Sequence, residues 1–310
     1  MEKRTNAGGM ALLEGVMMIG PDKKAVAVRK PDGEIEVTSE KLKYSSKIRK
    51  IPFLRGVNGL FNQMVHGMKA MMHAAEYFDI EEEPGNTSKF EKWLQKVLGD
   101  KMKSAVIYFS VVVGILFSVG LFILLPNLLV RVFGIESSLI NNLIEGGFRI
   151  LLFFGYVVLI SKMNDIKRVW MYHGAEHMTI NCYENGEELT MENVKKYTTR
   201  HKRCGTSFMF VVIVISIFVF ALTGWHSAII NMVVRILLIP VVAGMAYELI
   251  RLAWKKDNWF SKTLSAPGLL FQSFTAREPD DGMLEVAIAA LKEAVPSAAD
   301  EQTDENQRTD

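Results

Sequence analysis

His173, Glu176 and His177 fall within the stretch YHGAEHMTINCYE, Tyr172–Glu184, and spell H-x-x-E-H. On a helix, residues four apart face the same way. His173 and His177 can therefore present two imidazoles to one metal ion, with Glu176 projecting to the same side. H-x-x-E-H reverses the zincin order H-E-x-x-H and marks inverzincins. In that logic the histidines hold a divalent ion, most simply zinc. Glu176 takes a proton from a water whose pKa the ion lowers to about 7.

Catalytic zinc usually needs a third protein ligand. The stretch TTRHKRCGTSF carries His201 and Cys204 as H-x-x-C, and both are candidates. So is Glu184, eleven positions after His173, which returns to nearly the same helix face at about 100° per residue. Cys182 points to the opposite face and is left aside. His173, His177, His201 and Cys204 together would close a tetrahedral structural site with no place for water. Catalysis requires one of them not to bind.

The elements that must position these residues include membrane spans. Of 310 residues, 49% are apolar and 23% charged, the mean hydropathy is +0.16, and the apolar residues come in blocks. Four stretches have the length of a span: 105–125, 146–163, 206–225 and 228–247. Pro240 predicts a kink in the last. Lys162, Lys167, Arg168, Arg200, Lys202 and Arg203 lie between spans two and three, and Arg251, Lys255 and Lys256 follow span four. The loops 131–145 and 226–227 are poor in Lys and Arg. Positive-inside counting predicts a multi-pass protein of the cell membrane, with both termini and the metal motif in the cytoplasm. Spans two and three are then antiparallel neighbours, and HKRC converges on YHGAEH at the inner membrane surface. Arg149 and Arg235 lie towards the outer helix ends. They either snorkel to headgroups or form a paired anion or lipid-headgroup site.

The fold expected is mainly α: about four transmembrane helices over 101–260, carrying the motif loop 162–206, plus a small cytoplasmic α+β region over 1–100. In that region AVAVRKPDGEIEVTS reads as a hairpin turning at Pro31-Asp32-Gly33. IPFLRGVNGLFNQMVHGMKAMMHAAEYF reads as an amphipathic helix with a stripe of Leu60, Met64, Met68 and Met71. It either lies on the bilayer or packs on the bundle. His66 and His73 read as ordinary helix histidines. Residues 79–86 form an acidic linker, and the sequon Asn86-Thr87-Ser88 has no meaning in the cytoplasm. The N-terminus is not a signal peptide, because its apolar run is short and interrupted by Glu14. Over 261–295, APGLLFQSFT is a short interfacial helix and EPDDGMLEVAIAALKEA a helix capped by Asp280 or Asp281. The tail 296–310 is polar and disordered.

Two cysteines exclude a disulfide framework. A net charge of +2 lacks the basic field of a nucleic-acid binder.

GGMALLEGVMMIGP, YHGAEHMTINCYE, HKRCGTSF and REPDDGMLEVAIAALK together resemble the YqhQ family of bacterial membrane proteins over nearly the whole chain. The resemblance implies a metal-dependent enzyme with its site at His173, Glu176, His177, His201 and Cys204, and no substrate. It also singles out Glu14, the one charge in GGMALLEGVMMIGP. Glu14 is either a site-lining carboxylate, acting as ligand or second acid/base, or a solvated acid in a turn.

Three functions compete. The first is a membrane-anchored metal-dependent hydrolase acting on a peptide, lipid or other amphipathic substrate. The second is a metal-handling transporter, disfavoured because no Asp, Glu or His sits mid-span. The third is a scaffold whose metal staples the 162–206 loop.

Overall fold

The computed structural model describes residues 7–42, 51–78, 102–254 and 258–295. The acidic linker, the sequon and the C-terminal tail lie outside these. The protein is mainly helical with one small antiparallel sheet. It divides into two compact units. The first comprises Met1–Phe78, Tyr156–Val212 and Pro240–Asp310, and the second Asp79–Gly155 and Ile213–Ile239.

The sheet of the first unit is a meander of β1 (Gly8–Leu12), β2 (Gly15–Ile19), β3 (Lys23–Arg29) and β4 (Ile35–Lys41), each strand pairing with the next. The β3–β4 hairpin turns as expected, with Gly33 at φ 91°. The run GGMALLEGVMMIG is a second hairpin. Leu12 pairs with Gly15, so Leu13 and Glu14 form the turn, and Glu14 takes a left-handed φ of 50°. Strand alternation sends Val16, Met18, Ala25 and Ala27 to one face and Met17, Val26 and Val28 to the other. Both faces are covered, which is why β2 reads as an unbroken apolar run.

One face meets α1 (Leu54–Glu76) through Ala70 and Ala74. The packed face of α1 is its small residues Gly56, Gly67, Ala70 and Ala74, not the methionine stripe; Met64 and Met71 are exposed. Small residues allow close approach: a Cβ on Gly67 would strike the Met10 side chain, and one on Gly56 would strike Tyr247. His66 and His73 have ordinary partners, Lys24 and Thr38 respectively.

The other face meets the motif helix and the C-terminal helix. Helix α2 (Met102–Val119) leads through a π turn (Gly120–Leu124) into α3 (Leu125–Arg131); α4 (Ser138–Ile160) and the motif helix α5 (Asn164–Glu184) follow. A short α6 (Met191–Val194), α7 (Gly205–Leu222), α8 (Ala228–Trp254), α9 (Trp259–Thr275) and α10 (Asp281–Ala294) complete the chain. Asp280 caps α10, its Oδ1 accepting the Met283 N–H at 2.9 Å. Met283, Leu284, Ala287 and Leu291 of α10 pack with Tyr172, Ala175 and Met178 of α5 against the sheet. The C-terminal helix is thus part of the core that holds the motif.

Among the described residues, three helical stretches are long and apolar enough to cross a membrane: Phe109–Arg131, Ser138–Ile160 and Ala228–Ala253; Phe208–Leu222 is apolar but shorter. In the second unit apolar side chains such as Leu116, Leu151, Phe218 and Leu237 point outward, while Asn127, Glu145, Arg149 and Arg235 are buried. That is the reverse of a water-soluble fold and corrects two expectations. Residue 145 belongs to helix α4 rather than to a loop. Arg149 and Arg235 turn inward to a shared carboxylate instead of snorkelling, because Glu145 offers each an acceptor.

Candidate metal centre

Tyr172 to Ile180 is buried without a break, although it contains two histidines and a glutamate. A helix can hold that much polar surface inside only if each polar group finds a partner. His173 Nδ1 donates to the Thr275 carbonyl oxygen at 2.6 Å, at the end of α9. His177 Nδ1 donates to the Thr199 carbonyl oxygen at 2.6 Å, in the loop before α7. With Nδ1 protonated, each neutral ring keeps its lone pair on Nε2. His173 Nε2 is 3.2 Å from Cys204 Sγ. The ring centroids of the two histidines are 4.3 Å apart. Ligand atoms of His173, His177 and Cys204 all lie within 4.8 Å of one another, and all three residues are buried. Backbone carbonyls that orient histidines are the usual second layer of a metal site.

Gly174, the second residue of HGAEH, makes this packing possible. A Cβ there would overlap the Arg277 carbonyl oxygen. Arg277 N–H donates to the Trp170 carbonyl at 2.9 Å, which ties the chain just after Thr275 onto α5.

Glu176 is buried one residue before His177 on the same helix. The Gly9 N–H of β1 donates to its carboxylate. Burial raises its pKa, opposed by His173 and His201. Burial also lowers the pKa of His177 and so keeps that ring neutral, with the thiol of Cys204 opposing.

The other expected residues stand elsewhere. His201 is beside the cluster, its ring 5.7 Å from that of His177, but its Nε2 meets Glu184 Oε2 at 3.2 Å. Glu184, also weighed as a ligand, pairs with His201 and Arg203. Its burial would raise its pKa, yet these hydrogen bonds lower it. Glu14 lies in the β1–β2 turn. Arg168 grips both its carboxylate oxygens, and Tyr172 Oη donates to it at 3.3 Å. It is partly exposed and is not gathered with the ligand atoms. Cys182 is buried away from the cluster, its thiol pushed up to about 11 by desolvation.

The family described as "Protein of unknown function (DUF1385)" matches residues 51–297. The chain is also 35% identical over 294 residues to "Uncharacterized protein YqhQ" of Bacillus subtilis (strain 168), covering 92% of this chain and 91% of that one. The chain belongs to the YqhQ family. No solved structure matches it.

In this YqhQ-family chain, several residues that shape the site carry no motif. Thr199 and Thr275 act through backbone carbonyls, which any residue type could supply. Gln272 binds both the N–H and the carbonyl of His201, each at 2.9 Å, and is completely buried. Its one sequence signal is being a lone amide in the apolar run GLLFQSF.

Proposed function

We propose that the protein is a membrane-embedded metal-dependent hydrolase. In this reading His173, His177 and Cys204 hold a divalent ion, Glu176 is the general base, and the site faces the cytoplasmic membrane surface. The observation that carries it is the orientation of the two imidazoles. Each commits Nδ1 to a carbonyl and keeps Nε2 beside the same sulfur. Two nitrogens and one sulfur suit zinc, and three protein ligands leave a coordination position open. An ion bound there would supply Lewis acidity and activate a water. The chain's own groups do the rest. The Thr275 and Thr199 carbonyls fix the tautomers, Gly9 N–H orients the Glu176 carboxylate, and Glu176 accepts the proton. His201 stands beside this set, its Nε2 paired with Glu184, and its ring nitrogens are not gathered with the three ligand atoms.

The membrane reading takes α7 as a fourth, shorter span beside the three long ones. The cluster of Lys and Arg over 162–203 supports a cytoplasmic site. The substrate class is a peptide, a lipid or another amphipathic molecule reaching the site from the interface.

One observation favours a second reading, a metal that only staples the fold: all three ligands and Glu176 are buried. Elemental analysis of purified protein separates metal binding from its absence. Stoichiometric zinc that His173→Ala abolishes is expected; a wild-type protein without metal ends both readings. Glu176→Gln then decides between them, assayed against panels of quenched peptides and lipid esters. Retained zinc with lost hydrolysis supports the enzyme. Retained zinc with unchanged thermal stability and unchanged hydrolysis, or no hydrolysis even by wild type, supports the staple.

A further inference from the structure

The second unit has a polar interior of its own. Glu145 and Arg149 stand one turn apart on α4, and Glu145 Oε1 accepts from Arg149 Nη2 at 2.6 Å. Its Oε2 pairs with Arg235 of α8 and accepts from Asn127 Nδ2 at 3.3 Å.

Each nitrogen of Arg149 has a partner. Its Nη1 donates to Ser216 Oγ at 3.0 Å and its Nε to the Phe122 carbonyl at 2.9 Å.

Arg235 differs. It is 2% exposed, and only its Nη2 has acceptors, Glu145 and Asn142 Oδ1, the latter at 3.3 Å. Among the described residues the buried Nε and Nη1 have none. The Phe220 and Trp225 rings, with centroids 5.6 and 5.5 Å from its Cζ, attract the charge but are weak acceptors. One turn earlier on the same face of α8, Asn231 is 4% exposed. It accepts the His226 N–H at 3.0 Å on Oδ1, and its Nδ2 is also without an acceptor.

On this face of α8 the imbalance has one sign, whereas the buried acceptor Asn141 Oδ1, which also has no partner among the described residues, stands on α4. Two guanidinium groups share one carboxylate, and every unpartnered group on this face of α8 is a donor. A buried uncompensated cation is strongly unfavourable, and orphaned N–H groups add to that. What is missing is a negatively charged acceptor with several lone pairs.

We propose that Arg235 and Asn231 form an oxyanion-binding site in the second unit, with Arg149 and Glu145 as its framework. Its ligand is a phosphate group, presented by a phospholipid headgroup or by a soluble phosphate. The site is separate from the metal chemistry and stands whether or not the hydrolase reading does.

The experiment is a binding titration of the full chain in a neutral maltoside detergent, followed by native mass spectrometry and Trp fluorescence. The probes are inorganic phosphate and short-chain phosphatidylglycerol, with short-chain diacylglycerol as the uncharged control. Saturable binding of either anionic probe but not of diacylglycerol is expected. Saturation by phosphate alone marks a soluble anion site, and saturation by phosphatidylglycerol alone a headgroup site. Arg235→Gln, which leaves the Glu145–Arg149 pair intact, is expected to weaken binding tenfold or more. Asn231→Ala changes no charge and is expected to weaken it several-fold, which decides the matter should Arg235→Gln fail to fold. Binding of neither probe, or wild-type affinity in the folded variants, overturns the proposal.

Discussion

Gly9 and Glu176 touch across the interface between β1 and α5: a Cβ on Gly9 would lie 2.9 Å from Cγ and Cδ of the glutamate. The glycine brings a backbone N–H against the carboxylate and leaves no room for a side chain. Gly9→Ala must therefore move either the strand or the glutamate. A cost of about 1–3 kcal/mol in stability is expected, the usual range for overpacking. If Glu176 is the base, hydrolysis falls further than stability while zinc content holds. Thermal melts, elemental analysis and kinetics on one preparation check this. A variant with wild-type stability would show that β1 does not press on Glu176.

Removing the metal tests the ligand set directly. An ion that binds only the folded state stabilises by about 4 kcal/mol when present at a thousand times its dissociation constant. Chelation is expected to lower the melting temperature of wild type and to leave Cys204→Ser and His177→Ala unchanged, because these have no ion to lose. His201→Gln is expected to keep its zinc, since the ligand atoms that come within 4.8 Å of one another are those of His173, His177 and Cys204. Loss of zinc in His201→Gln would restore the closed four-ligand site.

What the sequence disclosed follows from what leaves a trace in it. His173, Glu176 and His177 were legible because i, i+3 and i+4 on a helix share a face. Cys204 was legible because two histidines lack a third ligand. The β3–β4 hairpin was legible in Pro31-Asp32-Gly33. The β1–β2 hairpin was not, because its turn holds Leu13 and Glu14 rather than Gly, Pro or Asn, and β2 is covered on both faces. The carbonyls of Thr199 and Thr275 have no signature at all. In α1 the apolar stripe leaves open whether the helix lies on the bilayer or packs on protein, because hydropathy does not say which face meets protein; the buried glycines and alanines do. Glu145 looked like a loop residue beside Asn141 and Asn142, but all three face into a bundle whose apolar residues face out.

Glu14 is expected to be structural. Its pair with Arg168 is half exposed on the arginine side, so it contributes no more than about 1 kcal/mol. Its left-handed φ is a conformation that glycine adopts without strain. Glu14→Gly loses the pair and gains the backbone, so a change within about 1 kcal/mol is expected, with zinc content and hydrolysis preserved. Loss of metal in this variant would place Glu14 in the site after all.

His66 gives a pH dependence outside the metal cluster. Lys24 Nζ donates to its Nδ1 at 3.1 Å, which requires a neutral ring. Burial lowers its pKa from the usual 6.5, helped by the Lys24 charge. Above pH 6.5 the ring is neutral in both folded and unfolded chains and has no effect. As pH falls below that value the unfolded chain takes up the proton first, so stability declines. The loss is expected to be about 1 kcal/mol, the worth of one hydrogen bond. Melts at pH 7.5 and 5.5, as round assay values, compare wild type with His66→Gln, whose curve is expected to be flatter by that amount.

Gly174→Ala is the sharpest test of how the motif is held. The added methyl meets the Arg277 carbonyl oxygen and lies 3.2 Å from Thr199 Cγ2. Neither can yield cheaply, because the Arg277 N–H is bonded to Trp170 and the Thr199 carbonyl orients His177. Both carbonyl anchors of the histidines are displaced by one substitution, since Thr275 lies two residues before Arg277. A destabilisation at the upper end of about 1–3 kcal/mol is expected, together with a fall in zinc affinity of 10–100-fold, the usual effect of disturbing a ligand's orienting partner. A competition titration with a zinc indicator on the folded fraction separates the two effects. Unchanged affinity there would mean that the carbonyl anchors do not tune the ligands.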